Sequence, residues 1–186
     1  MKKRILTWLL AISMLGSLLT VPAGAAAVTK FSDVSDSYTA TAIETLRLMG
    51  VLDGYGDGTF RPDTVLNRAQ FCKMAVYAMD GSGELGRYST VTIFPDVKPS
   101  HWASAYINMA SRKGIISGFA DGKFKPGQTV TAGQAVTILM RGLGYKDEDM
   151  GGVWPQSYMA EAQTNGLLKS TGITSAYAGV TRAQAA

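Results

Sequence analysis

Gly50-Val-Leu-Asp-Gly54-Tyr-Gly-Asp57-Gly58-Thr-Phe60-Arg-Pro62, followed by Asn67-Arg68-Ala69-Gln70, decides the fold because the chain says it again. Gly114-Ile-Ile-Ser-Gly118-Phe-Ala-Asp121-Gly122-Lys-Phe124-Lys-Pro126 leads to Thr131-Ala132-Gly133-Gln134. Upstream, Phe31-Ser-Asp33-Val34 is echoed by Phe94-Pro-Asp96-Val97. A fainter third copy keeps Trp154, Gly166-Leu167-Leu168 and Thr181-Arg182-Ala183-Gln184. Repetition at this scale marks a repeat architecture, in which no unit buries its apolar face alone. It points to a binding scaffold and away from a single-site enzyme.

Each unit reads as helix, loop, helix, so the fold class is mainly α. In the first, residues 39–49 place Ile43, Leu46 and Met49 at helical spacing and stop at Gly50. The second gives residues 102–113 with Tyr106, Ile107 and Ala110, and the third 155–165 with Tyr158, Met159 and Ala162. These stripes are core, not a cofactor box. Asp57-Gly58 and Asp121-Gly122 suit tight turns that need positive φ. A calcium loop starting at Asp53 fits poorly, because its third and twelfth positions are Tyr55 and Thr64 and the second copy replaces Asp53 with Ser117. The second helix opens on Asn67, Thr131 or Thr181, with Gln70, Gln134 or Gln184 at capping-box spacing.

The ends bound the rest. Lys2, Lys3 and Arg4, an apolar stretch from Ile5 to Val21 and Ala23-Gly24-Ala25 read as a cleaved export signal over residues 1–27. The stretch is short for a bilayer span, so no transmembrane segment is expected in the mature chain. The whole chain has 18 basic and 14 acidic residues; losing Lys2, Lys3 and Arg4 leaves 15 against 14, a net +1. Such a balance leaves no basic stripe, and nucleic acid is not an expected partner. Cys72 stands alone in an apolar helix, without a disulfide framework, and reads as a small buried residue.

Arg68 and Arg182 take the first helical position after the cap. That is a poor place for a cation on stability grounds, since a helix start already carries partial positive charge. Helix-end amides plus a guanidinium would make a receptor for a carboxylate; the rival reading is a plain reach to an acidic neighbour or solvent. Asp33 and Asp96 read as turn caps or sugar contacts. Trp102 and Trp154 read as core or as stacking platforms, and Gly54 and Gly118 as positions needing special φ or close approach of a ligand. His101 has no catalytic partners in view. No catalytic pair, metal-ligand spacing, phosphate loop or cofactor is expected.

The linked motifs Phe-x-Asp-Val, Trp-Ala at Trp102-Ala103, Gly-Ile-Ile-x-Gly, Asp-Gly-x-Phe-x-Pro and Thr-Arg-Ala-Gln resemble the S-layer homology domain across residues 31–186. The resemblance implies tandem helix-loop-helix repeats in a pseudo-threefold spindle or bundle. Repeats then fall at 28–80 and 94–145, with linkers at 81–93 and 146–153 and an incomplete third repeat at 154–186. It also implies a secreted, wall- or S-layer-associated protein that binds an anionic secondary wall polysaccharide bearing pyruvyl ketals. Carried onto the matching positions, the family's Thr-Arg-Ala-Glu motif makes Arg68 and Arg182, with Asn67, Thr181, Gln70 and Gln184, the ligand-binding set. In both copies Gln replaces the family's usual acid. The second copy lacks the Arg, so its groove is expected to be weak.

Two other roles fit the same residues: the anchoring end of a surface enzyme such as a polysaccharide hydrolase, or a structural S-layer or peptidoglycan-tethering protein. The partner would be wall polysaccharide or peptidoglycan. The third repeat breaks off one turn into its second helix, which predicts a chain that continues or that completes itself by self-association.

Overall fold

The computed structural model describes residues 31–79 and 82–186, and the expected export signal lies outside them. Among the described residues six α-helices follow in order: α1 Ser37–Leu48, α2 Arg68–Ala78, α3 Ser104–Arg112, α4 Ala132–Gly142, α5 Gln156–Thr164 and α6 Arg182–Ala185. Among the described residues there is no strand, only three isolated antiparallel bridges. The protein is mainly helical, as the repeats predicted. Short 3₁₀ helices, Ser82–Tyr88 and Asp147–Asp149, occupy the segments expected to be linkers. The first is docked: Asn108, wholly buried on α3, donates its Nδ2 hydrogens to the carbonyl oxygens of Tyr88 and Val91.

Local chemistry sets the helix ends. α2, α4 and α6 each open on a complete capping box, with Asn67, Thr131 and Thr181 reciprocally bonded to Gln70, Gln134 and Gln184. α1 uses a different device, Asp36 accepting from the Thr39 amide at 2.7 Å. After α1, α3 and α5 the chain turns through Gly50, Gly114 and Gly166, all at positive φ, the usual glycine stop.

The units meet head to head. The Leu66 amide donates to the Val180 carbonyl oxygen at 2.9 Å, the Val180 amide to Val130 at 3.1 Å, and the Val130 amide to Leu66 at 3.0 Å. These three bonds close a ring with one member from each repeat. Val65, Thr129 and Gly179 hold equivalent places in it. A Cβ built on Gly179 would lie 2.8 Å from both Val65 Cγ1 and Thr129 Cγ2, so two side chains fill the centre and the third must be absent.

Around this ring lies the main core, where α2 packs on α3 and α4. Leu66, Val130 and Val180 join Phe71, Cys72, Ile107, Ile115 and Ile138 there. Two satellites flank it: Phe31, Ile43, Leu52 and Phe60 under α1, and Val136, Met140, Tyr158 and Ala162 between α4 and α5. Met49, expected to face inward, is exposed, because α1 ends at Leu48 and the chain is already turning towards Gly50. Cys72 is fully buried, and burial pushes its thiol up to about 12, so it is an inert packing residue.

Candidate ligand-binding grooves

Each refrain begins a helix in its own repeat but spends its first amides on the next repeat. Arg68 N–H donates to the Gln128 carbonyl and Ala69 N–H to Pro126. Ala132 and Gly133 donate likewise to Ala178 and Ala176, and Arg182 and Ala183 to Thr64 and Pro62. Gln70, Gln134 and Gln184 amides go to the cap side chains. The orphan donors of each helix start are therefore spent within the protein. The expectation that free helix-end amides join the guanidinium in holding an anion is corrected by this pattern. Only the arginine side chains remain for that task.

Those side chains cross between repeats. Arg68 leaves α2 and enters the second repeat's loop, donating Nε–H to the Phe124 carbonyl oxygen at 2.9 Å and Nη1–H to Gln134 Oε1 at 3.1 Å. Its guanidinium carbon lies 4.6 Å from the ring centres of both Phe119 and Phe124. Arg182 leaves α6 and enters the first repeat's loop in the same manner. Its Nε–H donates to the Phe60 carbonyl at 2.7 Å and Nη2–H to the Asp53 carbonyl at 2.8 Å, over the Phe60 and Tyr55 rings. Neither arginine has a carboxylate partner among the described residues. Desolvation lowers the pKa of both guanidinia from the ordinary value, and Arg68 is only 4% exposed. Each is thus a pinned cation with neutral acceptors, and each keeps one nitrogen (Nη2 of Arg68, Nη1 of Arg182) without an acceptor among the described residues.

Arg68 reaches the wall of a cavity of about 420 Å³, shared with Ser117, Arg141, Asp147, Trp154 and Tyr158. The cavity joins three repeats: the first gives the arginine, the second its loop and α4, the third the start of α5. Trp154 stands 51% exposed with its Nε1–H on Thr137 Oγ1 at 3.0 Å. Trp102 is 56% exposed and stacked on His101. The reading of both tryptophans as core is thereby corrected; they precede their helices on the outer face. Tyr38 occupies the same place in the first repeat and is exposed too.

The remaining sequence candidates serve the loops. Asp33 accepts the Phe60 and Arg61 amides, each at 2.7 Å, and Asp96 accepts those of Phe124 and Lys125 at 2.9 and 2.7 Å. The clamps hold Arg61 and Lys125 at φ 58°, an uncommon region for residues with a side chain. These carboxylates brace a loop 27 or more positions away, not the turn that follows them. Gly54 and Gly118 need no positive φ. A Cβ at Gly54 would lie 1.9 Å from the Phe31 ring and one at Gly118 2.6 Å from Phe94, so both glycines admit the Phe of Phe-x-Asp-Val. Arg141 and Asp147 were missed in the sequence, since they lie outside the refrain and in a linker.

The fold is a helical repeat scaffold with an arginine pinned at two of its three inter-repeat junctions. The S-layer homology domain model matches residues 30–72 and 93–136, and the chain is an S-layer homology domain protein. A cell surface protein of Thermoanaerobacter kivui is 38% identical over 160 residues, covering 84% of this chain and 20% of that protein. A middle cell wall protein of Brevibacillus brevis is 32% identical over 146 residues, 77% of this chain and 14% of the other. A surface layer protein of Brevibacillus choshinensis is 32% identical over 163 residues, 84% and 14%. The chain thus spans a fifth or less of the length of these relatives. S-layer homology domains anchor cell-surface proteins to the cell wall, and this is a secreted, wall-associated chain. No helix among the described residues is long and apolar enough to cross a membrane.

Proposed function

We propose that the protein is a non-catalytic anchor that grips an anionic secondary wall polysaccharide, one bearing pyruvyl ketals, through Arg68 and Arg182. The observation that carries this reading is the state of the two guanidinia. Arg68 is buried and Arg182 half-buried, and each bonds directly only to neutral acceptors among the described residues. Asp96 and Asp33 act on them only through space, so a fold that desolvates these two cations in equivalent places gains little stability from either. A planar carboxylate would supply both a directly bonded counter-charge and acceptors for the open N–H edges. Asn67, Gln70, Thr181 and Gln184 act by fixing the helix ends from which the arginines project. Trp102 and Trp154 offer exposed faces for sugar rings.

The test replaces both arginines by methionine, which keeps the volume between the aromatic rings. The Arg68→Met, Arg182→Met chain should retain its helical circular dichroism and cease to sediment with purified wall polysaccharide. Wild-type chain should lose most binding when the polymer's carboxylates are reduced to alcohols. Equal binding of native and carboxyl-reduced polymer would overturn the reading.

A further inference from the structure

The cavity beside Arg68 holds a second guanidinium that the repeat motif does not include. Arg141 projects from α4 and grips Asp147 with Nε and Nη2, at 2.8 and 2.6 Å. Its Nη1 donates to Ser117 Oγ at 3.2 Å, and the Tyr158 hydroxyl also donates to Asp147. Arg141 keeps 17% of its side chain exposed, whereas Asp147 keeps 64%. A pair with so wet a carboxylate adds little to folding. What it does provide is orientation: the fork of bonds fixes a guanidinium edge in the cavity wall before any ligand arrives.

The equivalent place in the first repeat carries different chemistry. There Tyr77 stands where Arg141 does, and its hydroxyl lies 3.3 Å from that of Tyr106, the counterpart of Tyr158. The two arginine-bearing grooves share Arg68 or Arg182 but differ in their second polar pair. In the Arg68 groove the ionised lining groups are Arg68, Arg141 and Asp147, a balance of one positive charge. Ser117, a neutral partner at the end of a long 3.2 Å bond, can rotate away and yield its place to a ligand oxygen.

Resting on the anchoring reading above, we propose that Arg141 is the specificity-determining residue of the Arg68 groove, tuning it with Asp147 for a saccharide unit that carries a single negative charge. Arg141 adds attraction for the saccharide's charge and Asp147 limits it.

Opposite signs distinguish this from a structural ion pair. The experiment uses the Arg182→Met chain, so that the Arg68 groove reports alone, and measures binding to native and carboxyl-reduced wall polysaccharide. Arg141→Gln should weaken binding to the native polymer on the order of tenfold. Asp147→Asn, which preserves an acceptor for Tyr158, should strengthen it severalfold, and the two variants should differ little on the carboxyl-reduced polymer. Urea denaturation checks that both fold. If both variants weaken binding together, or neither changes it, the pair is structural and the inference falls while the anchoring reading stands. Absence of all binding in the Arg182→Met background overturns the inference as well. A parent chain that binds both polymers equally overturns the anchoring reading first.

Discussion

Two hollows open between the same kinds of element, and they differ in nearly everything chemical. The one beside Arg68, about 420 Å³, is walled by charged and hydroxyl groups and by the face of Trp154. The other lies where Tyr38 takes the place of Trp154 and the third repeat's loop takes the place of the second's. It is lined by Leu46, Met74, Leu139, Leu167 and Leu168, with Lys169 its one charged residue among those described, and it opens at residues 183–186, where the sequence ends. At this second junction the refrain offers Ala132 where the others offer arginine. The backbone bonds are unchanged there, since Ala132 and Gly133 still donate to the third repeat's carbonyls. The loop they meet has Thr174 in place of Phe60 or Phe124. A guanidinium would find no aromatic slot and no clamp to hold its carbonyl partner. The ring of backbone bonds therefore builds three junctions, and side chains decide which of them is armed.

The largest effect should come from emptying an armed junction. Arg68→Ala leaves a gap between Phe119 and Phe124 and strips the Phe124 carbonyl of a donor, a loss of about 2–3 kcal/mol. Arg68→Met, which fills the gap without a charge to desolvate but leaves the Phe124 carbonyl without its donor, should recover most of that loss in urea. If methionine costs as much as alanine, the arginine is needed for the fold itself, and the contrast between armed and unarmed junctions becomes one of packing.

Arming the silent junction should cost less. Ala132 is buried at the start of α4, and Ala132→Arg forces a long cation against Thr174 and its neighbours. Overpacking of that kind costs about 1–3 kcal/mol. The variant should be destabilised in urea and gain no affinity for wall polysaccharide. Gain of affinity without loss of stability would mean that the aromatic slot is dispensable, and that any arginine at this helix position suffices.

What could be read in the sequence was whatever is encoded within a few residues. Asn67 and Gln70 announce their capping box three positions apart, and Asp57-Gly58 announces its turn, with Gly58 at φ 81°. The contacts that make the grooves are not local. Arg68 reaches Gln134 across 66 positions and Arg182 reaches Asp53 across 129. Nothing near either arginine says that its partner is a carbonyl and not a carboxylate. Gly54 looked like a conformational glycine because the Phe31 ring that excludes its Cβ lies in another motif. Trp102 and Trp154 looked like core because large aromatics usually bury area. They are exposed because this position, Tyr38 included, lies on the outer face at the start of each repeat's first helix. The Arg141–Asp147 pair was hidden for a further reason: it joins a helix to a linker that had no motif.

The smallest effect separates the loops by their clamps. Asp33 has its pKa lowered first by the Phe60 amide bond, then by that of Arg61. For Asp96, burial would raise the pKa, but the Phe124 and Lys125 amide bonds outweigh it and the net direction is also down. A carboxylate whose folded pKa is depressed contributes stability that is fully present above its unfolded value, about 3.9, and is lost as pH falls through the folded one. The clamps should therefore hold at neutral pH and loosen only below the ordinary aspartate range. Among the described residues no aspartate plays this role for the third repeat's loop, and Ser175 stands where Arg61 and Lys125 stand in the others. In an NMR titration towards acid, the amide protons of Phe60, Arg61, Phe124 and Lys125 should shift together with midpoints under that range, while those of Thr174 and Ser175 stay flat. Midpoints at the ordinary value would mean that the amides do not bind the charged form more tightly. The strained φ of Arg61 and Lys125 would then have to be held by the proline that follows each of them, and the two clamped loops would lose their main distinction from the third.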